Sequence, residues 1–225
     1  FPVIQPKGLD LDCLSMERLG KIKDIKEYSS ELTPLADEYE KWITTELKPK
    51  ISSLDPKLHR TATVQTDRCK EALRRIREGI EIISTDQTAA DSFRFANLSM
   101  HFQRLYGNWA TNNRKSGRVN GYEPKKPIPE KMPKWRPFQL AFFILNIKSI
   151  TNPKSKDRNT ADLLWFPTGG GKTEAYLGLI AFTIGHRRLR TDVDVEKYGV
   201  TVLMRYTLRL LTIQQFQRAS TLMCA

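Results

Sequence analysis

Cysteine is scarce in this chain of 225 residues: Cys13, Cys69 and Cys224 stand far apart, odd in number and without a Cys-x-x-Cys pair. The three histidines, His59, His101 and His186, are equally scattered, and none lies at a metal-ligand spacing from a cysteine. This argues against a disulfide framework and a zinc site and fits a reducing, cytoplasmic setting. Long hydrophobic runs are missing as well. The apolar stretches Phe138–Ile147 and Ala175–Gly185 fall short of the roughly 20 residues that cross a bilayer, so they read as buried helix segments and no membrane partner is expected. No apolar leader opens the chain, whose first residues include Pro2 and Pro6. The chain begins at Phe1 instead of Met, as expected of a piece of a longer protein.

Positive charge is what the chain has in excess: 37 Lys and Arg against 25 Asp and Glu, a net +12. A polyanionic partner is the natural counterpart, although basic surface alone speaks to solubility and non-specific binding. The excess is concentrated, with twelve basic and three acidic residues from Asn113 to Arg158. Within that stretch, residues 112–134 interleave Gly117, Gly121, Pro124, Pro127, Pro129 and Pro133 with Lys and Arg. This marks a basic Pro/Gly-rich linker between a helical domain, 1–111, and a second domain, 135–225. Such a segment can grip a nucleic-acid backbone or stay solvated.

Three helices are expected before the linker. Thr33-Pro34 reads as an N-cap and first helical position, with Leu35, Tyr39, Trp42, Ile43 and Leu47 on one face and Pro49 as the stop. A second helix spans about 66–83, with Leu73, Ile76, Ile80 and Ile83 on its apolar stripe. Its Lys70, Arg74, Arg75 and Arg77 read as a solvated face balanced by Glu71, Glu78 and Glu81, with nucleic-acid contact the less favoured alternative. The third, about 88–109, is apolar on two sides and should sit centrally, so Arg94, Asn97, Gln103 and Arg104 need partners near a buried surface.

The chemistry gathers at Asp162–Gly178. The apolar run Leu163–Phe166 leads into Pro167-Thr168-Gly169-Gly170-Gly171-Lys172-Thr173, and a helix-compatible stretch follows. Strand, phosphate loop and helix is the expected order. Glycines let backbone N–H groups close around phosphate oxygens, Lys172 adds a mobile cation, and the Thr173 hydroxyl can ligate magnesium. The helix directs its positive end at the anion. Phe166 stands where the general phosphate-loop pattern has its first glycine. A second strand is expected at Gly199–Tyr206, where apolar and polar residues alternate, and a last helix from Thr207 through Thr221. These elements would open a parallel sheet with a right-handed crossover.

Three blocks then stand in a recognisable order: Arg-Pro-Phe-Gln (136–139), Phe-Pro-Thr-Gly-Gly-Gly-Lys-Thr (166–173) and Val-Leu-Met-Arg-Tyr-Thr-Leu-Arg-Leu-Leu-Thr-Ile-Gln-Gln (202–215). They resemble the Q-motif, motif I and motif Ia of superfamily 2 helicases, in which the position of Phe166 is not a glycine. From Asp91 onward the wording, including Phe-Arg-Phe-Ala-Asn (93–97), is similar to the large helicase of bacterial DISARM anti-phage systems. The first ninety residues carry no motif that can be placed.

The resemblance implies an α/β fold: an N-terminal helical domain followed by an incomplete RecA-like P-loop domain with a parallel sheet. It implies ATP and Mg2+ as cofactors. Gln139 would read the adenine edge, with Arg136 and Phe138 shaping that pocket. Thr168, Gly169, Gly170 and Gly171 would wrap the phosphates, Lys172 would contact the β- and γ-phosphates, and Thr173 would hold the metal. Thr207 is the best DNA-backbone contact, followed by Arg209 and Gln214, and further subunits of a defence complex are expected partners.

A motor of this kind also needs an Asp-Glu pair and arginine fingers. Asp37-Glu38 is the sole Asp-Glu dipeptide, far upstream of the loop, so the catalytic set is incomplete and the chain alone should not turn over ATP. Two alternatives stand beside this reading: another P-loop NTPase, and a non-enzymatic module that binds DNA or a partner.

Overall fold

The computed structural model describes residues 11–115, 132–165, 170–190, 199–205 and 209–225. A 3-10 turn, Leu11–Leu14, precedes α1 (Met16–Lys21), whose N-cap Ser15 hydroxyl accepts from the Arg18 N–H. Next come α2 (Glu27–Trp42), a π turn (Ile43–Leu47) and α3 (Lys48–Ser52), then the two long helices α4 (Pro56–Thr85) and α5 (Gln87–Lys115). Beyond residue 131 lie α6 (Pro137–Leu145), α7 (Ile147–Thr151), α8 (Lys172–Leu189) and α9 (Arg209–Met223).

The expected α/β architecture is overturned. Among the described residues there is no strand and no sheet, and the sole ladder contact is an isolated bridge between Ser15 and Lys134. Residues 162–165 and 200–205 carry no regular structure, so neither the parallel sheet nor a RecA-like lobe is present there. The physical reason is that a strand's N–H and C=O groups are satisfied only by a neighbouring strand, whereas a helix satisfies its own. Leu163, Trp165 and Leu203, each more than 80% exposed, mark the apolar runs as lacking that neighbour. Phe166 and Tyr206–Leu208 lie outside the described residues, as does most of the linker.

Helix boundaries depart from the sequence reading in instructive ways. Pro34 lies inside α2, which starts at Glu27. The proline removes one backbone hydrogen bond, but the earlier start lets Tyr28 and Leu32 bury completely. Pro49 opens α3 instead of ending the helix, and the wider π turn directly before it takes up the change of register. Helix α4 begins ten residues earlier than expected, because Asp55 caps it by accepting from the Lys57 N–H at 2.9 Å and Pro56 supplies a preset first position.

Helix α5 is central, as its two apolar sides imply. It packs against α1, α4, α8 and α9, and Phe93, Ala96 and Met100 are fully buried in a core that runs from Cys13 to Leu222. Two of the four polar groups expected to need partners on α5 have them in view: Arg94 donates to the carbonyls of Ile22 and Lys23, and the buried Asn97 amide donates to Phe93 O at 2.8 Å. Trp135 completes that network, its indole N–H donating to Asn97 Oδ1 at 2.7 Å. The backbone bonds Met16 N to Pro133 O and Trp135 N to Leu14 O hold this tryptophan in place from the other side. Its ring lies over Gly178 of α8, where a Cβ would meet the indole at 2.5 Å. A glycine is therefore what lets α8 seat beneath Trp135.

His101 on α5 is buried, with Nδ1 lacking a partner and the ring edge-on to Phe102. Burial holds its imidazole below the ordinary histidine range, with opposed smaller effects of Glu17 and Lys21. The folded chain therefore resists protonation that the unfolded chain accepts near pH 6.5. Stability should be full above about pH 6.5 and fall as pH drops through the lower folded value. Urea midpoints between pH 7 and 5 should show this slope, and His101→Gln should flatten it.

Candidate nucleotide site

The glycine turn is assembled by three elements. Arg136 is the N-cap of α6, and its backbone N–H donates to the Gln139 Oε1 at 2.8 Å. The other end of the same buried amide, Gln139 Nε2, donates to Gly171 O at 2.7 Å. The Arg136 guanidinium donates to Gly170 O at 2.8 Å. Two successive carbonyls of the glycine run are thus held by one short segment, Arg136–Gln139.

This clamp determines which way the donors face. Every described peptide bond is trans, so each N–H points opposite to the C=O of its own peptide unit. With the Gly170 and Gly171 carbonyls turned towards α6, the N–H groups of Gly171 and Lys172 turn away from it. Gly171 is the N-cap of α8 with φ +88°, the left-handed region, and no side chain caps the helix. The first-turn N–H groups of α8 have no intrahelical acceptor. The helix dipole, Lys172 at the first position and Thr173 at the second are the features from which an anion receptor, with a hydroxyl for a metal, would be built.

The approach to the turn is anchored by ion pairs from α4. Arg75 meets Asp162 through two hydrogen bonds of 2.6 and 2.7 Å, and this carboxylate holds the guanidinium firmly charged despite its burial. Arg74 bridges Glu71, Glu78 and Asp157 and draws the Glu71 carboxyl below its ordinary range, while Lys148 joins Glu78. Arg77 pairs with Asp37 and Glu40, and Lys70 with Asp67. The basic face of α4 is therefore engaged within the chain, and several of its partners come from other elements as well as from α4.

Among the residues expected to act, Gln139, Gly170, Gly171, Lys172 and Thr173 come together at the α6–α8 junction. Thr168, Gly169 and Thr207 lie outside the described residues, and so does the side chain of Arg209 at the start of α9. Gln214 is exposed on α9. Gln139 spends both ends of its amide on its own chain, so contact with an adenine edge would require it to exchange a bond.

Sequence reasoning passed over Glu174, which directly follows the Lys-Thr pair. Its Oε1 accepts from Arg218 of α9 at 3.3 Å, and its Oε2 is shut off from solvent without any hydrogen-bond partner. The signal available was a carboxylate set in the first turn of a helix whose N-terminus was expected to receive an anion.

A clamped glycine turn at a helix start, followed by Lys172 and Thr173, is as far as the geometry alone goes. No family model matches the chain. Among curated proteins, DISARM protein DrmA of Bacillus paralicheniformis is 40% identical over 225 residues, covering 98% of this chain and 19% of that protein. The chain thus spans about a fifth of the length of the curated relative it matches. The resemblance drawn from three blocks after Asp91 accordingly extends through the first ninety residues too. Among the described residues, no helix is long and apolar enough to cross a membrane, and no cluster of His, Cys, Asp or Glu could hold a metal ion.

Proposed function

We propose that this chain is the nucleotide-holding part of an ATP-dependent DNA helicase or translocase acting in anti-phage defence. The similarity to a DISARM protein supports the defence role. The observation that carries the nucleotide reading is the glycine turn at the start of α8, its carbonyls tied back by Arg136 and Gln139 so that its N–H groups face outward. Residues 135–225 hold the nucleotide and rest on the helical part, 1–111, with 112–134 as the basic linker.

In this reading the N–H groups of the glycine turn and of Lys172 receive the phosphates, together with the contribution expected from Thr168 and Gly169. The Lys172 ammonium neutralises the β/γ oxygens, and the Thr173 hydroxyl ligates magnesium. Bound Mg-ATP supplies the phosphoryl group whose transfer drives a motor. Thr207, Arg209 and Gln214 are proposed contacts for the DNA backbone, and other subunits of a defence complex are proposed partners. Asp37 of the sole Asp-Glu dipeptide is paired with Arg77, which leaves it no part in this site.

Titration of Mg-ATP against the chain tests the reading. Saturable binding is expected, weakened more than tenfold by Lys172→Ala, with no turnover of ATP by the 225-residue chain on its own. Equal affinity of the two proteins would overturn it.

A further inference from the structure

The seam between α8 and α9 holds two buried oxygen acceptors that lack donors. One is Glu174 Oε2, and the other is Gln215 Oε1 on α9, one helical turn before the Arg218 that reaches Glu174. Buried polar atoms are nearly always satisfied, so two such orphans on adjoining helices call for an explanation. The position a Gly171 Cβ would occupy lies 3.5 Å from Glu174 Oε2, which puts the unpartnered oxygen against the glycine turn. Among the described ion pairs, Arg218 is the cation on this carboxylate, half exposed and at 3.3 Å.

We infer that Glu174 is a positioning residue that makes the glycine turn discriminate between metal-bound and metal-free triphosphate; this rests on the nucleotide reading above. A carboxylate beside the turn repels a bare polyanion. A hydrated divalent cation reverses the sign, because it adds positive charge that the Glu174 carboxylate attracts. Arg218 moderates the effect by neutralising part of the charge. A glutamate in the first helical turn also suits the helix dipole, but that role is indifferent to whether the nucleotide carries a metal.

The test compares equilibrium affinity for ATP in excess EDTA and in excess Mg2+, for the wild-type chain, Glu174→Gln, Arg218→Ala and Lys172→Ala, with thermal melting as the check on folding. The ratio of the two dissociation constants should fall at least threefold in Glu174→Gln, mainly through tighter metal-free binding. It should rise in Arg218→Ala, which leaves the carboxylate uncompensated. Parallel weakening in both buffers, with an unchanged ratio, would mean a purely structural ion pair and overturn the inference alone. Absence of any nucleotide binding by the wild-type chain, or no loss in Lys172→Ala, would take the nucleotide reading down together with it.

Discussion

Replacing Trp135 with alanine should destabilise the chain by about 3–5 kcal/mol, the range for removing a fully buried large aromatic. The residue is 2% exposed, its ring meets Phe143 edge-on and covers Gly178, and its N–H is the donor to the buried Asn97 Oδ1. Alanine leaves a cavity between α5, α6 and α8 and strands the asparagine oxygen. Trp135→Phe separates the two effects, since it retains most of the packing and loses the hydrogen bond, for an expected cost of about 1–3 kcal/mol. Urea unfolding measures both. A loss below about 1 kcal/mol for the alanine variant would contradict the position given to this residue as the pin of the α5–α8 contact.

Gly171→Ala should act on the site more than on the fold. A φ of +88° strains any residue with a Cβ by about 1–2 kcal/mol, and here the added atom would lie 2.6 Å from Gln139 Nε2. The amide must withdraw, its bond to Gly171 O breaks, and the turn is released from α6. ATP affinity should fall more than tenfold while most of the stability remains. A matching loss of affinity in Gln139→Ala, which removes the clamp without straining the backbone, would confirm that the turn works by being held. Unchanged affinity in both variants would show that the clamp has no part in binding.

Helices were legible in the sequence because their stabilising signals are local. The stripe of Leu73, Ile76, Ile80 and Ile83 and the Phe93, Ala96 and Met100 side of α5 became buried faces, whereas on the other apolar side of α5 Leu105 is buried and Phe95 and Trp109 stay exposed. What the period missed were ends: Asp55-Pro56 is a sufficient start signal, but it precedes a stretch in which Leu58 and Val64 stay exposed, so no apolar stripe announced the first turns of α4. The sheet failed for the opposite reason. Alternation in Val200–Arg205 and the apolar run at Leu163 describe a capacity to pair, and pairing depends on a neighbour that local sequence does not specify. Residues 199–205 are instead tethered by Arg187, which donates to Val200 O at 2.8 Å.

A glycine turn at the head of a helix was legible from residue types, and Gly171 is the N-cap of α8. The clamp was not. Gln139 and Gly171 are separated by 32 positions, and their contact exists because Trp135 and Gly178 seat α8 beside the start of α6. Glu174 was hidden for a related reason, because a missing hydrogen bond can be recognised only once its surroundings are known.

The central claim is that the outward N–H groups at the start of α8 receive phosphate. Amide hydrogen exchange across Gly170–Ala175, measured with and without saturating Mg-ATP, tests it most directly. The prediction is added protection in this segment in the wild-type chain, absent in Lys172→Ala. Binding of ATP with unchanged exchange there, or protection confined to other segments, would contradict it.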